Sequence, residues 1–190
     1  LSVIEKVKAK HTARKSAGPL AALVLALLLS SCADRTHQLL VSVADQRMAV
    51  YRHEQRIAVL PVSTSKFGLS DAPGSNGTPL GKMEVARKIG AGQPAGMRFK
   101  SRVPTGEIVP VNSPGRDPIV TRILWLRGLE RWNQNAFDRY IYIHGTPEEA
   151  KLGTPASYGC IRMASRDIIW LYDLIGTGCR VSVVRGPLPP

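Results

Sequence analysis

Glycine and proline break this chain so often that long regular elements are excluded from most of it. There are 17 Gly and 14 Pro, and Asp71-Ala72-Pro73-Gly74-Ser75-Asn76-Gly77-Thr78-Pro79-Leu80-Gly81 is turn chemistry almost throughout. Proline fixes φ and has no N–H to donate, while glycine enters left-handed turns without a Cβ clash. Between the breaks lie short runs of β-branched and aliphatic residues, which suit strands. These runs predict strands over His37–Val43, Arg47–Arg52, Gln55–Ser63, Lys82–Ile89, Ile119–Leu126, Arg139–Ile143 and Cys179–Val184, with mixed short strands and turns over 98–118. A helical period is clear once, through Ile168, Ile169, Leu171, Tyr172, Leu174 and Ile175. Ser165 is placed to cap it, and Gly176 and Gly178 to end it. The fold class is therefore mainly β, with one helix late in the chain.

The first 37 residues read differently. Residues 1–16 are basic, Ala17–Leu29 is an apolar run of 13 residues, and Leu29-Ser30-Ser31-Cys32-Ala33 follows. This is the three-part layout of a secretory signal. Such a run, with Pro19 near its start, is too short for a spanning helix, which takes about 20 residues. Leu29-Ser30-Ser31-Cys32 resembles a bacterial lipobox, in which cleavage leaves the cysteine lipid-modified. An ordinary signal-peptidase site at Ser31 and Ala33 is the alternative. The expected layout is a signal peptide at 1–31, a short tether at 32–37, a folded domain at 38–185 and a tail at 186–190. The chain opens on Leu1 rather than Met, so its natural start stays open. This layout implies export to the periplasm or cell envelope, with attachment to the outer membrane through lipid on Cys32.

The formal net charge is +12, and residues 1–31 hold five cations against Glu5, a net of +4, leaving +8 for the rest. A basic surface suits nucleic acid, an anionic membrane or a polyanionic wall. The cations are scattered, with no run of five and no nucleic-acid recognition motif or zinc-ligand spacing beside them. Charge alone gives only sequence-independent binding, so nucleic acid is not the expected partner.

The chemistry gathers between Ile143 and Met163. His144 is the one histidine in the second half of the chain, and Cys160 is one of three cysteines. A free thiol titrates near 8.5, so it needs a base or a cation to act as a nucleophile near neutral pH. A histidine at a strand end and a Gly159-Cys160 turn supply that pairing. Such a turn can also aim backbone N–H groups at a developing oxyanion. Arg162 lies two residues past the thiol, where it can meet a carboxylate or lower the thiol pKa.

His144-Gly145-Thr146, a loop, and Ser157-Tyr158-Gly159-Cys160-Ile161-Arg162 resemble the signature of the L,D-transpeptidase catalytic domain, the YkuD family. Pro61-Val62-Ser63-Thr64-Ser65-Lys66-Phe67-Gly68 is similar to the family's strand-end segment, and Asn76-Gly77-Thr78-Pro79-Leu80-Gly81 to its Thr-Pro-x-Gly turn. The resemblance covers roughly residues 38–184. It implies a β-sandwich or barrel with a helix next to the active-site turn, and a cysteine acyltransferase that cross-links peptidoglycan without a metal or cofactor. Cys160 would be the nucleophile and His144 the general base and acid, with His144 oriented by the Gly145 carbonyl. Ser157, Tyr158 and Arg162 would contact substrate, and the backbone N–H groups of Gly159 and Cys160, with Tyr158 as a further candidate, would form the oxyanion hole. The expected partners are peptidoglycan stem peptides, and a wall-anchored protein as another acceptor.

One position departs from the family pattern, since Tyr158 stands where a second histidine is usual. Tyrosine keeps a planar ring and a hydrogen-bonding tip but is no base near neutral pH. Two alternatives follow: hydrolysis of the same bond as an L,D-carboxypeptidase, and a catalytically silent wall-binding lipoprotein. His37 and His53 are expected as solvated or turn residues, Cys179 as a core residue, and Glu148 and Glu149 as part of a lid or a solvated loop.

Overall fold

The computed structural model describes residues 33–115 and 117–190. The expected signal at 1–31 and Cys32, the expected lipidation site, lie outside the described residues. Among the described residues, ten strands join in one mixed sheet, with one α-helix. An antiparallel meander opens it: β1 (His37–Ser42), β2 (Arg47–Arg52) and β3 (Gln55–Pro61). Then come β4 (Gly81–Ile89), β5 (Met97–Lys100), β6 (Val103–Ile108) and β7 (Ile119–Gly128). β8 (Tyr142–Gly145), β9 (Ile161–Met163) and β10 (Arg180–Val184) follow, with helix α1 (Ser165–Leu174) between the last two. The strand order is β3-β2-β1-β10-β4-β7-β5-β6, and β8 leaves this path by pairing β7 and β9. The pairs β1–β10 and β8–β9 are parallel. The mainly β class with one helix is thus the fold observed.

β7 explains where the site sits. Its Ile-Leu-Trp-Leu run is apolar on both faces because both faces are covered. Leu124 and Leu126 enter the main core with Ile143, Ile161, Met163, Ile168 and Leu171. Ile123 and Trp125 enter a second core with Met97, Phe99 and Tyr142, against which Cys160 packs. Burying each such side chain contributes about 1.5–3 kcal/mol. α1 lies on β7 and β8, so the strands that carry the chemistry have a rigid backing. The β5–β6 hairpin turns on Ser101 and Arg102, both at positive φ, as a two-residue loop matching the sheet twist requires.

Three expectations shift. The predicted strand at Arg139–Ile143 starts later, because Tyr140 has φ of +59° and turns the chain first. His144 therefore lies inside β8 rather than at its end. Ser165 does not cap α1. The Ser165 N–H donates to Glu149 Oε1 at 2.8 Å, while the Ser165 hydroxyl lies 2.7 Å from Thr121 Oγ1. A carboxylate is a better match to a helix N-terminus than a hydroxyl, because it also meets the dipole. The segment expected as a tether is held at Asp34, whose carboxylate accepts from Gly176 N at 2.8 Å and from His37 N at 3.1 Å. The Asp34 N–H donates to Thr177 O at 2.7 Å. Burial alone would raise this carboxyl, but these hydrogen bonds, with those from the His37 and Thr36 side chains, hold it below its ordinary value.

Candidate active site

His144 and the Cys160 turn meet through the parallel pairing of β8 and β9. Ile143 faces Ile161, His144 faces Arg162 and Gly145 faces Met163. Side chains alternate along a strand, so Ile143 and Ile161 point into the main core. His144 and Arg162 share the other face, and Cys160, two residues before Arg162, opens onto that face beside Tyr142.

The histidine is fixed at one nitrogen. His144 Nδ1 lies 2.8 Å from the Gly145 carbonyl oxygen, which can only accept, so Nδ1 carries the proton and Nε2 keeps its lone pair. The next residue must be glycine for a packing reason. A Cβ on Gly145 would lie 2.7 Å from Val120 O, 3.0 Å from Thr121 Cβ and 3.2 Å from Ile168 Cγ2. The bulge in the β7–β8 register between Val120 and Ile123, with Thr121 at φ of +73°, brings that backbone close.

Four hydrogen bonds build the cysteine turn. Ser157 Oγ donates to Cys160 O at 2.5 Å and accepts from Gly159 N at 3.2 Å. Thr78 Oγ1 donates to Gly159 O at 3.0 Å and accepts from Ser65 N at 3.0 Å. Gly159 has φ of +119°, and a Cβ there would sit 3.2 Å from Gly77 O. Arg139 ties the neighbouring loop, donating to Gly77 O at 2.9 Å and pairing with Asp71 at 3.2 Å. The strand-end segment clamps the other side: Ser157 N donates to Thr64 O at 2.9 Å and Lys66 N to Ser157 O at 3.1 Å. The two segments flagged by resemblance are thus the two jaws of the turn.

Burial sets the resting protonation of the pair. It pushes the Cys160 thiol up to about 11; a backbone hydrogen bond from Tyr142 works the other way, Asp117 adds to the rise, and Arg139 and Arg162 oppose it. Burial also holds His144 below its ordinary value, against the opposing Gly145 hydrogen bond and the Asp117 charge. The pair rests as neutral thiol and neutral imidazole. The thiol lies 3.4 Å from the Tyr140 carbonyl oxygen, to which it donates, and the residue is partly accessible. Cys179 is buried, and its thiol is pushed up to about 12, first by burial.

Arg162, expected at the substrate, is buried with its charge already paired. It is 1% exposed and pairs with Asp117 and with Glu148 at 2.8 Å, while donating to Ser63 Oγ at 3.2 Å. Burial alone would raise the Glu148 carboxyl, but hydrogen bonds from Lys151 and Arg162 outweigh it and hold it below its ordinary value. Asp117 also accepts from Thr146 Oγ1 at 2.5 Å. Ser157 is likewise buried and used within its own turn. Of the N–H groups expected at an oxyanion, that of Gly159 is engaged by Ser157, whereas those of Tyr158 and Cys160 donate to no acceptor among the described residues. Tyr158 is 63% exposed and stands at the mouth of a cavity of about 640 Å³ that reaches Arg162.

Asp117 carried no signal in the sequence, because Asp117-Pro118 reads as an ordinary turn. Glu148 and Glu149 were readable only as loop acids; neither is part of a free lid, since Arg162 and Ser165 hold them. Among the described residues, no cluster of three or more His, Cys, Asp or Glu is arranged to hold a metal.

Residues 36–183 match the sequence model of the L,D-transpeptidase catalytic domain, YkuD. A curated relative, the putative L,D-transpeptidase YkuD of Bacillus subtilis, is 31% identical over 88 residues, covering 46% of this chain and 49% of its own. Its Bacillus licheniformis counterpart is 30% identical over 108 residues, covering 57% and 61%. The chain thus spans about half to three fifths of these relatives' length. Among solved structures, an L,D-transpeptidase from Xylanimonas cellulosilytica superposes with a TM-score of 0.52 at 16% identity, covering 88% of this chain and 70% of that one. L,D-transpeptidase 3 from Mycobacterium tuberculosis, in complex with a faropenem-derived adduct, gives 0.51 at 19% identity, covering 78% and 60%. These two share the fold. The match to the family's sequence model over most of the chain, on the strands and turn just described, shows that this protein belongs to the L,D-transpeptidase catalytic domain family.

Proposed function

We propose that the chain is a peptidoglycan L,D-transpeptidase acting through a thioester on Cys160. The observation that carries this reading is the His144 Nδ1–Gly145 bond, which leaves Nε2 as a free base on the strand beside the cysteine turn. Nε2 takes the thiol proton as Sγ attacks the carbonyl between the diamino acid and the terminal D-Ala of a tetrapeptide stem. The Sγ–C bond forms, the C–N bond breaks, and D-Ala leaves as its amine accepts that proton. The Cys160 N–H, with that of Tyr158, faces the developing oxyanion. An acceptor amine, on a second stem or a wall-anchored protein, then attacks the thioester and gives its proton to Nε2; the C–S bond breaks, and Nε2 passes that proton to Sγ, which restores the neutral pair.

Neutral thiol and neutral imidazole fit this sequence, because proton transfer then accompanies attack and no buried ion pair is held at rest. Tyr158 is not required as a base. The same reading places the protein in the cell envelope, exported by the segment at 1–31 and anchored by lipid on Cys32. Product analysis with purified tetrapeptide stems tests the transfer. Cross-linked dimer and free D-Ala are expected; tripeptide alone would mark hydrolysis, and no change in the stems would mark a silent wall-binding protein.

A further inference from the structure

Arg162 is the arginine nearest the cysteine in sequence, yet Asp117 and Glu148 enclose its charge. A substrate carboxylate must therefore find its cation elsewhere. The cavity of about 640 Å³ beside the cysteine turn has four further cations on its lining: Lys66, Arg98, Lys100 and Lys151. Lys151 pairs with Glu148 at 2.5 Å and Arg98 with Glu107 at 2.8 Å. Lys66 and Lys100 are exposed and have no acidic partner among the described residues.

Lys66 is also held in place. Its Nζ lies 3.1 Å from the Tyr158 hydroxyl and 4.4 Å from the ring centroid, and Phe67 packs on the same ring at 5.2 Å. An ammonium has three donors, so the hydroxyl leaves two for a ligand. The tyrosine thus presents a fixed cation two residues ahead of the nucleophile, where an imidazole would be too short to support it in the same way. The cavity has the size of a small-ligand site and suits a few peptide residues. Of its charged groups, five are cationic and two anionic, and both anions are already paired.

We infer that Lys66, positioned by Tyr158, and Lys100 form a subsite for the internal carboxylates of the peptide whose carbonyl Cys160 attacks. This rests on the proposed function, and it makes Lys66 a specificity-determining residue.

The test is calorimetric binding to full-length Cys160→Ala protein of two synthetic stem tetrapeptides. One has free internal carboxylates; in the other they are carboxamides. The free form should bind about tenfold or more tightly, the scale of a lost charge-assisted contact. The Lys66→Ala/Lys100→Ala double variant should lose that preference while keeping its circular dichroism spectrum, and Lys66→Arg should keep most of it. Equal affinity for the two peptides, or a preference that survives the double variant, would overturn the inference. So would inorganic phosphate competing as well as the free peptide, which marks a general anion patch. Acylation of the unmodified protein by the free peptide, followed by mass, runs in parallel. Acylation without any binding preference would end this inference alone, whereas absence of acylation would end the underlying reading.

Discussion

The thiol and the imidazole are shaped by burial more than by neighbouring charge. Arg139 and Arg162 pull the Cys160 thiol down, but desolvation wins and leaves it at about 11. A difference titration of thiolate ultraviolet absorbance, protein minus its Cys160→Ser variant, should therefore show no Cys160 thiolate near neutral pH; a full thiolate signal there would contradict the neutral pair. His144 must be unprotonated to act as base, and its pKa is held below the ordinary 6.5. The acid limb of kcat/KM should accordingly fall at a lower pH than an ordinary histidine would give. Asp117 raises His144, so Asp117→Asn should move that limb lower still, and a shift upward would be the contrary result. Arg162 is a scaffold residue at this scale. Removing one partner of a buried pair leaves the others uncompensated, so Arg162→Ala should cost about 3–5 kcal/mol in urea unfolding. A loss below about 1 kcal/mol would mean the pair is not the keystone it looks.

The elements fix where these residues stand. α1 is capped by Glu149 from the loop between β8 and β9, so the loop is stitched to the helix that backs the site. Glu149→Ala should destabilise the protein by about 0.5–2 kcal/mol, the usual range for a lost cap, read as a shift in denaturation midpoint. The strands were legible because apolar runs between breakers have few other uses, and α1 because its period is 3.6. The start of β8 was not legible. Arg139-Tyr140-Ile141 is as apolar and aromatic as a strand, and only the backbone shows Tyr140 in a left-handed turn. Ser165 satisfies the local capping rule, whereas the acceptor at the helix start is Glu149, 16 residues away in sequence. His144 and Cys160 were legible from type and spacing. Asp117 and Lys66 were not, since their partners lie 45 and 92 residues off. Ser157 and Arg162 stand in the motif, but a sequence motif records which residues matter without saying which are buried, as both of these are.

At the scale of the whole molecule, one mixed sheet carries both cores, and the site sits where β8 and β9 leave its main path. The two ends of the described domain are fastened together. β1 pairs with β10 in parallel, and Asp34 closes the same edge by binding the Gly176–Thr177 turn. Asp34→Ala should cost about 1–3 kcal/mol, as hydrogen bonds to a charged group do, with little effect on catalysis because the clamp is remote from Cys160. The fold, the turn and the histidine all serve one claim, that Cys160 carries the acyl group. Peptide-level mass spectrometry after brief incubation with a tetrapeptide stem tests this most directly. The expected result is the stem less its terminal D-Ala on the peptide containing Cys160, absent in Cys160→Ala and strongly reduced in His144→Ala. Cross-linked product formed at full rate by Cys160→Ala, or an adduct on Cys179 instead, would contradict it.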